Sequence, residues 1–90
     1  MDERIIKKGD DTPWNVVDDE VVLLNLDTGH YYSLNESGRR IWELLDGKNS
    51  VPEVVRLMCE EFDVEQDDAA KDVNTLLDEL LKEGLAATVS

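Results

Sequence analysis

Leu26–Trp42, LDTGHYYSLNESGRRIW, is the stretch whose reading decides the fold, because strand chemistry turns into helix chemistry inside it with no residue to spare. Behind the Gly-containing turn Asp27-Thr28-Gly29 stand His30, Tyr31 and Tyr32, and aromatic residues favour a pleated strand. Asn35 then offers a helix N-cap, and the apolar positions that follow, Ile41, Trp42, Leu44 and Leu45, recur at helical spacing. A short strand therefore feeds directly into a helix. Along that strand His30, Tyr32 and Leu34 point one way while Tyr31 and Ser33 point the other. Gly38 lets the first helical turn approach the sheet closely, and Gly47 supplies the helix stop.

Toward the N-terminus, Val21–Leu26 (VVLLNL) is apolar at nearly every position, as expected of a central strand covered on both faces. Asp27–Gly29 make a hairpin connection, Gly29 taking the positive φ that closes a three-residue loop. Trp14–Asp18 alternates as a first strand, and the acidic run Asp18-Asp19-Glu20 turns the chain. Three sequential strands make an antiparallel meander whose third strand lies at an edge. Residues 1–12, with Ile5 and Ile6 between charges and then Gly9-Asp10-Asp11, read as an N-terminal arm with one sticky point ahead of a domain spanning 13–90.

Toward the C-terminus, Ser50-Val51-Pro52-Glu53 is a capping box that opens a second helix, with Val51, Val54, Val55, Met58 and Phe62 as its buried face. A third and longest helix, capped by Asp67 or Asp68, carries the stripe Ala69, Val73, Leu76, Leu77, Leu80 and Leu81 and ends at Gly84. That stripe is wider than a core-facing arc requires, so the helix has apolar surface to offer something besides its own core. Leu85–Val89 reads as a short final strand or a frayed end. The expected fold class is α+β: a winged-helix-like arrangement of a three-stranded antiparallel meander followed by three helices.

Ninety residues make one domain with one core. No window of about 18 apolar residues exists to span a membrane, and the N-terminus lacks the apolar run of a secretory signal. A lone cysteine, Cys59, permits no internal disulfide, which makes a reducing cytoplasm the simplest compartment. The 22 Asp and Glu against nine Lys and Arg give a formal net charge of −13. Nucleic acid is repelled by such a chain: its only close basic pairs are Lys7-Lys8 and Arg39-Arg40, and a winged-helix DNA-binding regulator needs a basic stripe. A basic or neutral protein or peptide fits better.

Catalytic chemistry finds little footing. His30 is the only histidine, with no cysteine nearby and no nucleophile beside it, so it makes neither a metal site nor a triad by itself. Cys59 reads as packing on the flank of the second helix. Asp63, Glu65, Asp67 and Asp68 alternate like a calcium loop but lack the central Gly and terminal bidentate acid, so they read as a solvated connector. Gly29, Gly38 and Gly47 are isolated and form no phosphate loop. What remains is surface. The edge strand His30–Leu34 beside the apolar third helix is either ordinary packing or a docking edge to which an extended peptide adds by main-chain hydrogen bonds; a homodimer formed through the same edge is a further alternative.

The run LLNLDTGHYYSLNESGRRIWELLDG, then SVPEVVRLMCEEFDV, then DVNTLLDELLKEGL, resembles the PqqD-like family, with the likeness reaching from about Trp14 to Leu85. The family pattern falls on Gly29, Tyr31 to Asn35, Gly38 and Gly47, and then on Asp72-Val73, Leu80 and Gly84-Leu85. The resemblance implies a small winged-helix-like domain, a RiPP recognition element, that binds the leader of a ribosomally made precursor peptide and presents it to a separate modifying enzyme, without catalysis or cofactor of its own. It also implies that the leader adds as a strand in the groove between His30, Tyr31, Tyr32, Ser33, Leu34 and the third helix, on a flank that includes Val73, Leu76, Leu77, Leu80 and Leu81. The Asp-Thr-Gly-His-Tyr-Tyr segment departs from the branch serving pyrroloquinoline quinone synthesis, whose partner is a radical S-adenosylmethionine enzyme. It is more similar to stand-alone members in other pathways, lasso-peptide maturation with its protease among them.

Overall fold

The computed structural model describes residues 4–9 and 12–89. In chain order the elements are β1 (Ile5–Lys8), β2 (Trp14–Val17), β3 (Glu20–Leu24), β4 (Tyr31–Leu34), α1 (Glu36–Leu44), β5 (Asp46–Ser50), α2 (Val51–Phe62), α3 (Gln66–Lys82) and β6 (Ala86–Thr88). They form an α+β fold with two antiparallel sheets, ordered β2-β3-β4 and β5-β1-β6. The first is the expected meander, and its third strand, β4, is an edge.

The corner between β4 and α1 is built as its chemistry demands. Gly29 turns the chain at φ +76°. Asn35 stays extended and its side-chain oxygen accepts from the Gly38 backbone N–H at 3.0 Å, capping α1. A Cβ on Gly38 would stand 3.1 Å from the Leu34 Cβ, so the small residue is what lets α1 lie against β4. Trp42 is wholly buried at the centre of the core with Ile41, Leu45, Leu23 and Leu77. Trp14 meets its ring edge-on at 6.2 Å. The buried Trp42 Nε1 has no hydrogen-bond partner among the described residues.

The capping box of α2 is complete: Ser50 Oγ accepts from the Glu53 N–H, and Glu53 accepts from the Ser50 N–H at 3.0 Å. That bond holds the Glu53 carboxyl below its usual range. Val51, Val54, Val55 and Met58 are buried as expected, while Phe62 and Cys59 are half-buried.

Three expectations are corrected. Residues 5–8 are no arm: β1 is the central strand of the second sheet, paired with β5 and β6, and Ile6 is 1% exposed. Four residues with one apolar inward position carry too little periodicity to read as a strand alone, and the partner β5, DGKNS, carries none. Backbone bonds fix it instead, Val51 N to Arg4 O at 2.8 Å and Val89 N to Ile5 O at 2.8 Å. Met1–Glu3, Asp10 and Asp11 of the expected arm, and Ser90 at the other end of the chain, lie outside the described residues. Second, β3 is covered on one face only: Val21 and Leu23 are buried, but Val22 and Leu24 face outward half-exposed. Third, α3 starts one residue before Asp67, after Glu65, with no side-chain cap; Asp67 and Asp68 sit in its first turn, where the helix dipole favours carboxylates.

Candidate peptide-binding groove

The geometry of β4 follows from one bond. Asn25 N donates to His30 O at 2.9 Å, and in an antiparallel ladder the main-chain groups of successive residues turn alternately toward and away from the partner. With Leu23 opposite Tyr32 and Val21 opposite Leu34, the Tyr32 and Leu34 groups face β3. The N–H and C=O of Tyr31 and Ser33 therefore face the open edge.

A groove of about 570 Å³ runs beside this edge, floored by Leu34, Ile41 and Leu76 and walled along α3 by Lys71, Asp72, Thr75 and Glu79. The first turn of α1, with Asn35, Ser37 and Gly38, closes one end. The opposite end is fastened by Asn25, a buried polar residue. Its Nδ2 donates to Glu83 O at 3.2 Å, while its Oδ1 accepts from Asp27 N at 2.9 Å, so one side chain ties the hairpin before β4 to the residue that follows α3. Tyr32 turns its ring to the helix side, and burial, then a hydrogen bond to Glu83 and the charges of Glu83 and Glu79, raise its phenol above the ordinary 10.0.

The expected site residues separate into groups. Leu34 and Leu76 line the groove; Ser33 lines it and, with Tyr31, supplies the open backbone edge. The Tyr31 side chain is 71% exposed and belongs to the outer face of the sheet, and His30 is exposed and precedes β4. Val73, Leu77 and Leu80, at 0%, 0% and 2% exposure, are core residues whose side chains have no surface to offer a peptide, which corrects their assignment to the groove. Leu81 is half-buried against the core and is not part of the groove lining. The wall residues missed from sequence, Asp72, Thr75 and Glu79, share one helical stripe with the expected Leu76, at i, i+3, i+7 and i+4, beside the core stripe. Their mixed polarity hid them, since only the apolar face was sought.

Charge sets the character of the groove. Asp72 and Glu79 take no part in the ion pairs among the described residues. The basic pair Arg39 and Arg40 is spent on Glu43 and Glu61, the latter at 2.9 Å from Arg40. Lys8 lies 5.6 Å over the Trp42 ring and donates to Leu45 O, its ammonium pushed down by burial against the opposing pull of Asp46 and Glu43. No group of three His, Cys, Asp or Glu among the described residues is arranged to hold a metal ion. Among the same residues no helix is long and apolar enough to cross a membrane.

An α+β domain with an open strand edge held against an acidic, apolar-floored helical flank defines a class of strand-accepting domains. The chain belongs to the PqqD family: the model described as coenzyme PQQ synthesis protein D matches residues 20–86. Among solved structures it is similar to a chain described as TbiB1 in complex with the TbiA(beta) leader peptide, at 34% identity and TM-score 0.80, over 93% of this chain and 98% of that one. It is likewise similar to a lasso peptide synthetase B1 complexed with the leader peptide, at 26% identity and TM-score 0.80, over 92% and 98% of the two chains. Among curated proteins none matches.

Proposed function

We propose that this chain is a non-catalytic adaptor that binds the leader of a ribosomally synthesised precursor peptide along β4 and presents it to a separate modifying enzyme. The observation that carries the reading is the open edge of β4, with the Tyr31 and Ser33 main-chain groups directed at a groove floored by Leu34 and Leu76. Family membership and likeness to two chains solved with leader peptides support it.

A leader laid there extends the meander to four strands, with alternate side chains directed into the groove and away from it. Main-chain bonds supply affinity independent of sequence, and the groove-facing positions supply selection. Asp72 and Glu79 favour a leader with Lys or Arg beside an apolar anchor. Likeness to a lasso peptide synthetase B1 favours the lasso-type setting, with a maturation protease as the enzyme, over pyrroloquinoline quinone synthesis.

Titration calorimetry with the leader of the precursor encoded beside this gene tests the reading. Saturable one-to-one binding is expected, and Leu76→Ser should weaken it by about fivefold or more, the loss of roughly 1 kcal/mol at an interface position. Absence of binding at high peptide excess would discard the function.

A further inference from the structure

Asn25 is the buried polar residue among those described, 5% exposed, and each of its hydrogen-bonding groups has a partner. Its N–H donates to His30 O at 2.9 Å and its C=O accepts from Gly29 N at 2.7 Å, closing the hairpin that leads into β4. Its Oδ1 accepts from Asp27 N at 2.9 Å and Thr28 N at 3.3 Å, the side-chain geometry that folds a turn. Those bonds are local. Its Nδ2 instead crosses to the end of the helical wall, donating to Glu83 O at 3.2 Å and Glu83 Oε2 at 3.4 Å.

Glu83 is the C-cap of α3, where the last carbonyls have no partner within the helix. Gly84 takes φ +73° and Leu85 N returns to Leu80 O at 2.8 Å, which leaves the Glu83 C=O to Asn25. A carboxylate at a helix C-terminus opposes the helix dipole, so this side chain sits where it weakens the helix. Donors from Asn25 and Tyr32 hold it there. Among the described residues these are the side-chain hydrogen bonds that join the sheet β2-β3-β4 to the end of α3. Elsewhere α3 packs on α2 and β6, and along the groove Ser33 and Leu34 face Lys71, Asp72, Thr75 and Glu79 across open space. A strand added to β4 must lie about 4.8 Å from it and touch α3 as well, so the separation of the two walls decides whether a peptide meets both. Two supports set that separation. At one end the first turn of α1 is seated on Leu34 through Gly38, and at the other Asn25 holds Glu83.

Resting on the leader-binding reading, we propose that the Asn25–Glu83 tether presets the width of the groove between β4 and α3, so that the leader enters a gap already held open to one strand. Asn25 is buried and touches no peptide; it is a positioning residue that acts through the placement of the α3 end. Ordering the walls in the free chain removes that cost from binding and strengthens capture without adding a contact.

The test uses the full chain and the labelled leader of the precursor encoded beside its gene, followed by stopped-flow fluorescence at a temperature where circular dichroism shows each variant folded. Asn25→Asp keeps the oxygen that folds the turn and replaces the Nδ2 donor with an oxygen aimed at Glu83 O and its carboxylate. The association rate should fall about fivefold or more, because fewer free chains hold the groove at the right width. The dissociation rate should stay within about twofold, since no peptide contact is lost. Adding Glu83→Gln to Asn25→Asp supplies a donor from the opposite side and should recover the association rate, while Glu83→Gln alone keeps an oxygen for Asn25 and should bind as the wild type does. In the wild-type chain the Asn25 Nδ2 protons, followed by NMR, should exchange slowly with solvent before the leader is added as well as after. A folded Asn25→Asp chain with the wild-type association rate, a loss carried by the dissociation rate, or a loss that Glu83→Gln does not recover overturns the proposal with leader capture intact. Protection of the Asn25 Nδ2 protons that arises only on binding shows that the leader itself sets the width, and also overturns it. A wild-type chain that fails to bind the leader removes the groove reading and this one with it.

Discussion

Ser33→Pro is the substitution that separates the open edge from the paired one. Proline removes one backbone N–H and demands an extended residue before it, and Tyr32 already lies in a strand. The Ser33 N–H faces the open edge, so the ladder to β3 loses nothing, whereas the Tyr32 N–H faces Leu23. In the proposed complex, the Ser33 N–H is one of four main-chain groups, two each on Tyr31 and Ser33, that face the open edge and would meet the peptide. Deleting it strands a peptide carbonyl in a partly dry groove, at about 1–3 kcal/mol, or roughly 5- to 150-fold in Kd. The assay is fluorescence anisotropy with a labelled leader, alongside circular dichroism of the free variant. Tyr32→Pro, by contrast, should lower the melting temperature by breaking a ladder bond. A folded Ser33→Pro chain with wild-type affinity would refute the register.

Other consequences follow from the same geometry. Leu77→Ala should cost about 2–5 kcal/mol of stability in chemical denaturation through cavity formation, with leader affinity unchanged at temperatures where the chain remains folded. Ser50→Ala removes the side-chain half of the α2 capping box and should cost about 1 kcal/mol, lowering the melting temperature by roughly 4–8 °C in a thermal scan. Because the fold favours the neutral Tyr32 phenol, the stability this supplies is complete below pH 10.0 and is lost as pH rises through the elevated value. Glu83→Gln should bring the Tyr32 ring titration, followed by NMR, down toward the ordinary value.

The sequence disclosed the meander, the β4–α1 corner, the caps at Asn35 and Ser50 and the buried stripes of α2 and α3, all of which rest on local chemistry or on period. It did not disclose the second sheet. DGKNS becomes β5 because β1 needs a neighbour, and the Asp46 carboxylate steadies it by accepting from Lys48 N and Asn49 N, whereas the sequence shows only a helix stop at Gly47. Such pairings are set by tertiary hydrogen bonds and leave no periodic trace. The groove was legible in part. Its strand wall came from edge position, but its helix wall was assigned to the most apolar residues, Val73, Leu77 and Leu80, which the core had already claimed. Asn25 was read within an apolar strand, although an Asn before Asp27-Thr28-Gly29 is the residue type that folds its own turn.

Amide hydrogen exchange of the full chain, with and without the leader, tests strand addition at β4 most directly. The account predicts that the N–H groups of Tyr31 and Ser33, open in the free chain, become protected on binding, while those of β2 at the far edge of the sheet do not. Protection confined to β2, or a saturated complex in which Tyr31 and Ser33 exchange as fast as before, would contradict it.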